Sequence, residues 1–190
     1  MITNKLSKAV VITGASVTGK TTLCRRLLVH FLVEPLPVHM TRAQRGGEIE
    51  NVDAVFISEE QFKNNFTKGL YLQDTLESSY FAGAYYGCPR QWVENTHLGE
   101  FSCFVCPTVK MAQRLKKELA NKIFWIHLVT DPKTREERLL QRVSTEKQED
   151  TTLRLQRGNA VVDITGHDLQ IDTSNLKPWE IFFRALVSIQ

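Results

Sequence analysis

The sequence predicts an α/β fold, a parallel sheet flanked by helices, and three observations carry that expectation. An apolar, β-branched run, Ala9-Val10-Val11-Ile12-Thr13, leads directly into the glycine turn Gly14-Ala15-Ser16-Val17-Thr18-Gly19-Lys20-Thr21, and a helical pattern opens at Lys20. Further short apolar runs that suit buried strands recur at 101–106, 123–129 and 169–172. Amphipathic stretches with helix spacing lie between them, and strands alternating with helices imply a parallel sheet covered on both faces.

Taken in order, 9–13 is the first strand. The helix 20–33 carries Leu23, Leu27, Leu28 and Phe31 on one face. Pro35 and Pro37 end it, because proline cannot continue the hydrogen-bond ladder. A short strand at 38–41 leads into the polar loop 42–51, and a strand follows at 55–57. Ser58-Glu59-Glu60-Gln61 is a capping box that opens a helix to about residue 67. Segments 71–77 and 80–86 are rich in aromatics and Thr and read as strands. With 54–57 they make a small, mainly β insert. Pro89 suits the start of a helix to about residue 98. Then come a strand at 101–106, a helix at 109–120, a strand at 123–129 bounded by Asp131-Pro132, and a helix at 133–142. Segment 143–150 is polar and reads as a mobile lid; a helix at 151–162, a strand at 169–172 and a last helix from Pro178 to 189 complete the chain. There is no internal repeat, so the 190 residues form one domain: core 1–37 and 88–190, insert about 38–87, lid about 143–150.

Composition excludes more than it assigns. A hydrophobic fraction of 42% and a charged fraction of 24% are those of an ordinary soluble chain, and a net charge of +3 is too small to argue for nucleic acid. No apolar run is long enough to span a membrane and no secretory segment precedes the first strand, so a cytoplasmic monomer or homodimer is expected, with no nucleic-acid or membrane partner. Cys24, Cys88, Cys103 and Cys106 are scattered. Cys103 and Cys106 form a C-x-x-C, but inside an apolar strand, where residues three apart face opposite sides; all four read as structural thiols. His30, His39, His97, His127 and His167 fit no metal-ligand spacing.

The glycine turn is the chemical centre. It reads G-x-x-x-x-G-K-T, the phosphate-cradling Walker A pattern, in its proper context between strand and helix. The turn's N–H groups act as donors and the helix start adds partial positive charge, which together suit a polyphosphate. The expected fold is therefore that of the P-loop NTPases. Residues Gly14, Ala15, Ser16, Val17, Thr18, Gly19, Lys20, Thr21 and Thr22 are the candidate ATP-phosphate contacts. Lys20 is expected to reach the β- and γ-phosphates, and the Thr21 hydroxyl to ligate Mg²⁺.

A second set of residues carries a resemblance. Thr41-Arg42-Ala43-Gln44-Arg45-Gly46-Gly47-Glu48 resembles the T-R-x-x-R-x-x-E segment of guanylate kinases. Val52-Asp53-Ala54-Val55-Phe56-Ile57-Ser58 with Phe62 resembles that family's next strand and helix, and Ala84-Tyr85-Tyr86-Gly87-Cys88-Pro89-Arg90 its N-Y-Y-G-T-P segment. The resemblance runs from Val10 to the last helix. It implies a core, an acceptor-binding insert and a lid, with ATP-Mg²⁺ as donor and a small phosphomonoester as acceptor. Arg42, Arg45 and Tyr86, with Tyr85 as a further candidate, would hold the acceptor phosphate; Arg142 and Arg154 match the lid arginines that fold over the phosphates. Physically this is sound: phosphoryl transfer needs positioning and charge, and arginine supplies bidentate, permanently charged contacts.

The departures from the family fall on the acceptor base. The resemblance places a guanine-reading serine near Val38 or His39, a glutamate at Gln73, and a D-x-D motif at Cys106-Pro107-Thr108; a phosphate-contacting tyrosine becomes Ala54. Gln73 and Thr108 are kept as acceptor-binding candidates, and Asp74 or Glu77 could replace the lost carboxylate if the longer segment 73–85 shifts the register. The expected activity is an ATP-dependent kinase with an altered acceptor site. The alternatives are a divergent enzyme still using GMP, a ribose 1,5-bisphosphate kinase, and a protein-binding module of the same fold. Retention of Lys20, Thr21 and both loop glycines speaks against the module.

Overall fold

The computed structural model describes residues 5–73, 75–81, 83–143 and 164–189. Strand β1, Ala9–Gly14, is the axis of a four-stranded sheet. It pairs in parallel with β6, Cys103–Val105, on one side and β7, Ile123–Val129, on the other; β8, Leu169–Asp172, pairs in parallel with β7. Because side chains alternate along a strand, β1 feeds two cores. Ala9 and Val11 face a cluster with Trp92, Phe104, Leu115 and Trp125, built by helices α4, Arg90–His97, and α5, Val109–Leu119. Val10 and Ile12 face a cluster with Leu23, Leu27, Ile126 and Ile181, built by α1, Lys20–Phe31, and α7, Pro178–Ile189. Fully burying each such side chain contributes about 1.5–3 kcal/mol, so a sheet covered on both faces is what this pattern of apolar runs demands. Cys103 belongs to one cluster and Cys106 to the other, on opposite sides of the sheet.

A second, smaller sheet is drawn from residues 39–87. Its order is β3-β2-β5-β4: β2, His39–Met40, runs parallel to β3, Val55–Phe56, and antiparallel to β5, Ala84–Gly87, which in turn forms a hairpin with β4, Tyr80–Phe81. Helix α2, Glu59–Thr67, starts at the Ser58 cap and docks on this sheet through Phe62, which stacks between Tyr71 at 4.6 Å and Tyr85 at 5.2 Å. Gly87 is required by that packing: a Cβ there would lie 2.6 Å from the Tyr71 ring.

The expected strand at 71–77 is corrected. Among its described residues only Tyr71 makes a bridge, to Pro89, and 76–79 form the short helix α3, Leu76–Ser79. Thr75 and Ser78 make a reciprocal capping box, so local side-chain bonding overrides the strand propensity of the aromatic and Thr residues. The first helix ends at Phe31, two residues before the expected point, with Leu32 in the left-handed conformation. Helix α6, Pro132–Val143, follows β7 as expected. The lid at 143–150 beyond Val143, the helix at 151–162, Arg154 and Asp74 lie outside the described residues.

Candidate active site

The candidate donor-phosphate residues gather where β1 meets α1. At Gly14 the two central strands come so close that a Cβ would sit 2.4 Å from the Leu128 carbonyl oxygen and 2.8 Å from Thr18 Oγ1. Val17 holds a left-handed φ of 60°, an uncommon conformation for a β-branched residue and a place where strain is stored. The Thr18 hydroxyl donates to the Ala15 carbonyl at 3.0 Å, and Lys20 Nζ folds back to the same oxygen at 2.5 Å. Helices α2 and α5 are capped by the side chains of Ser58 and Thr108, whereas no side chain caps α1 and its first turn holds no acid. A helix start with neither a side-chain cap nor an acid favours an anionic ligand. Thr21 and Ser16 are half-buried beside them, and Thr22 is exposed.

Behind the loop lies a buried polar relay. Trp125 Nε1 donates to Thr13 Oγ1 at 2.7 Å, and Thr13 Oγ1 lies 2.8 Å from His127 Nδ1. Which of the two donates across the Thr13–His127 contact is set by the imidazole tautomer. Burial, the nearby His167 and the charge of Lys20 push the His127 pKa down to about 4, which favours the neutral ring.

A cavity of about 250 Å³ adjoins the loop, walled by Val17, Thr18 and Thr22 on one side and by Arg138, Leu176 and Pro178 on the other. Arg138 is braced by donating Nη2 to the Thr173 carbonyl at 2.7 Å and Nη1 to its hydroxyl at 3.2 Å. Sequence reasoning missed this residue: an arginine in an amphipathic helix carries no local signal. A larger groove of about 470 Å³ between β8 and α7 is apolar and remote from the phosphate loop.

The candidate acceptor residues gather around Arg42. Glu48 accepts both of its guanidinium ends, Nη1 at 2.8 Å and Nη2 at 2.7 Å, and also accepts the Arg45 backbone N–H at 2.8 Å. The Arg42 guanidinium lies 5.5 Å from the Phe56 ring centroid. Burial works against the Arg42 charge, but Glu48 and the Tyr86 hydroxyl outweigh it and raise its pKa. Burial likewise opposes the Glu48 charge, and the Arg42 fork and Arg45 amide hold its carboxyl below the usual range. Tyr86 stands on β5 opposite Met40, so Arg42 and Tyr86 are brought together. Arg45 is half-buried on the same loop. Glu48 stood in the recognised segment but was not among the expected site residues; its brace appears only once the loop is folded.

Gln73 and Thr108 are placed differently from the expectation. Gln73 is buried, donates Nε2 to the Tyr86 carbonyl at 2.9 Å and accepts the Cys88 N–H at 3.2 Å, clamping its segment to β5. Thr108 caps α5 by accepting the Met111 N–H at 3.2 Å. Arg142 falls in the last turn of α6. Among the described residues, no group of three or more His, Cys, Asp or Glu side chains is placed to hold a metal ion, and no helix is long and apolar enough to cross a membrane. The four cysteines are buried and unpaired.

Comparison with known proteins matches this arrangement. The family model for guanylate kinase matches residues 6–182. A guanylate kinase of Prochlorococcus marinus subsp. pastoris is 32% identical over 155 residues, 81% of this chain and 82% of its own length. That of another Prochlorococcus marinus strain is 29% identical over 171 residues, 89% of this chain and 90% of its own. Among solved structures, a guanylate kinase from Anaplasma phagocytophilum superposes with a TM-score of 0.67 at 20% identity, covering 96% of this chain and 84% of that one. A gluconokinase from Sinorhizobium meliloti gives 0.59 at 14% identity over 97% and 93%; at such identities the likeness is one of fold. The family match over nearly the whole chain, with a relative sharing 32% identity along four fifths of both, establishes that the chain belongs to the guanylate kinase family of P-loop kinases, ATP-dependent phosphotransferases of the nucleoside monophosphate kinase kind.

Proposed function

We propose that this chain transfers the γ-phosphoryl group of ATP to the phosphate of GMP, giving GDP and ADP. The observation that carries the reading is the pairing of two anion sites: the uncapped start of α1 with Lys20, and the Glu48-braced Arg42 beside Tyr86. The curated relatives, which bear the name guanylate kinase, supply the acceptor.

In this reading the loop amides 14–22 and Lys20 hold the donor phosphates, and Lys20 follows the charge that develops on the transferring group. The cavity between Thr22 and Arg138 takes the donor's base. Arg42, Arg45 and Tyr86 orient the acceptor phosphate, whose own oxyanion is the nucleophile, so no separate general base is needed. Segment 38–87 acts as the acceptor-binding insert, and Arg142 and Arg154, with the lid about 143–150, close over the phosphates and exclude water. The half-buried Thr21 hydroxyl, next to Lys20 at the open helix start, fits a single protein ligand to Mg²⁺, with phosphates and water completing the shell. Mg²⁺ would neutralise phosphate charge there. A cytoplasmic setting, as monomer or homodimer, belongs to the same proposal.

A specific observation favours a second reading, in which the acceptor differs. Gln73 is turned to the backbone, Thr108 to a helix cap, and Cys106 offers a buried thiol, so the positions expected to read guanine carry no carboxylate. ADP release from ATP-Mg²⁺ decides between them, measured with GMP, dGMP, AMP, pyrimidine monophosphates, ribose 1,5-bisphosphate and no acceptor. Turnover on GMP at about 1–100 s⁻¹ supports the proposal. Silence on GMP with turnover on another member overturns it in favour of the second reading.

A further inference from the structure

The two anion sites are joined by a residue that neither site uses. Arg25 lies on α1, the helix that begins at Lys20, about one and a half turns further on. Its Nε donates to Asp53 Oδ1 at 2.9 Å, and its Nη2 donates both to Asp53 Oδ2 and to the Gly47 carbonyl at 2.7 Å. Asp53 Oδ2 also accepts the Ile49 N–H at 2.7 Å. The guanidinium therefore holds both ends of the loop 47–53. Gly47 is covalently joined to Glu48, which grips Arg42 with both carboxylate oxygens. The Asp53 side chain is only 9% exposed, and its hydrogen bond is the main reason that the Arg25 pKa is raised.

We propose that Arg25 and Asp53 form a strap that sets the acceptor arginine in register with the donor lysine, which makes Arg25 a positioning residue for the acceptor phosphate. The chain of contacts is continuous: Lys20, the rigid helix α1, Arg25, the Gly47–Asp53 loop, Glu48, Arg42. Two forked guanidinium–carboxylate pairs act in series, and each fork fixes orientation as well as distance. In-line phosphoryl transfer between two separately bound anions depends on that register, since small misplacements cost large factors in rate. The inference rests on the proposal that Arg42 binds the acceptor phosphate.

Two measurements on Arg25→Ala, Asp53→Asn and Arg25→Lys test it. Backbone hydrogen exchange, without any ligand, is expected to show faster exchange of the Arg45 and Ile49 amides in Arg25→Ala, with the amides of β1 and β7 unchanged. In steady-state kinetics on GMP, Arg25→Ala and Asp53→Asn are expected to raise the acceptor KM or lower kcat by about 10- to 100-fold, with the ATP KM within about twofold of wild type by the same localisation of the effect. Arg25→Lys, which keeps the charge but loses the fork, should recover only part of the loss. Unchanged exchange in the loop overturns the strap, as do equal effects on the ATP and acceptor KM. If wild type does not turn GMP over, the proposed function fails, and the exchange measurement alone still decides whether the strap exists.

Discussion

Glu48 holds Arg42 from six residues away, with both carboxylate oxygens on both terminal nitrogens at 2.8 and 2.7 Å. Arg42 is thereby oriented before any acceptor arrives. Glu48→Gln retains one acceptor oxygen and loses the charge. It is expected to raise the acceptor KM about tenfold, the cost of one charge-assisted hydrogen bond, with ATP binding unchanged. Titration of each ligand separately checks this; a selective loss of ATP affinity would contradict the placement of Arg42 on the acceptor side.

Lys20→Ala is expected to lower turnover by at least about 10²–10³-fold, as for other single donors to developing charge. The fold should survive, because the hydrogen bond removed is one from a half-buried ammonium to the Ala15 carbonyl on the loop surface. Circular dichroism and turnover, measured together, decide the point. A well-folded variant with normal activity would remove Lys20 from the chemistry.

Gln73→Glu restores the carboxylate that the family resemblance places there. The structure argues that this will not restore base reading. The Tyr86 carbonyl would lose its donor, and a charge would be buried against the Cys88 N–H alone. A loss of about 1–3 kcal/mol in stability is expected, with no gain in GMP turnover. Higher GMP turnover with an unchanged melting temperature would show that the side chain swings out to the acceptor.

His127 makes stability depend on pH. Its folded pKa, about 4, lies below the ordinary histidine value of 6.5, so the unfolded chain binds a proton more readily. Stability is full above about pH 6.5 and falls as pH drops towards 4, by roughly 3 kcal/mol in all. Asp131 and Asp172 are also depressed, Asp131 to about 2 by hydrogen bonds from Thr134; their contributions are lost only below about pH 4, so the two windows separate. Melting temperatures of wild type and His127→Gln between pH 4 and 7.5 should converge at the acid end. Parallel curves would mean that His127 does not titrate in this range.

The parts legible in the sequence were those written in local order. The strand-loop-helix of the donor site, the alternating core and the arginine pair at 42 and 45 are each set by residues close in the chain. What was not legible depends on distant partners. Arg25 and Asp53 are 28 residues apart, and Arg138 reaches its brace at Thr173 across 35. Gln73 looked like a reader of the acceptor because its neighbours in sequence matched a family pattern; its clamp on β5 exists only when 73 and 86–88 lie side by side. At 71–79 the aromatic strand pattern was real, but the Thr75 cap turned the chain into a helical turn.

The sheet that divides the two cores also divides the thiols. Cys103 points into one layer and Cys106 into the other, Cys24 lies on α1 and Cys88 just beyond β5, and burial pushes Cys24 and Cys88 to about 12. A maleimide or aromatic disulfide reagent therefore meets these sulfurs only in opened molecules, and modification keeps time for the opening itself. Two probes on each side of the sheet make an order of release readable by mass spectrometry: Cys88 and Cys106 before Cys24 and Cys103 if the layer under α4 and α5 parts first, all four together if the molecule opens as one.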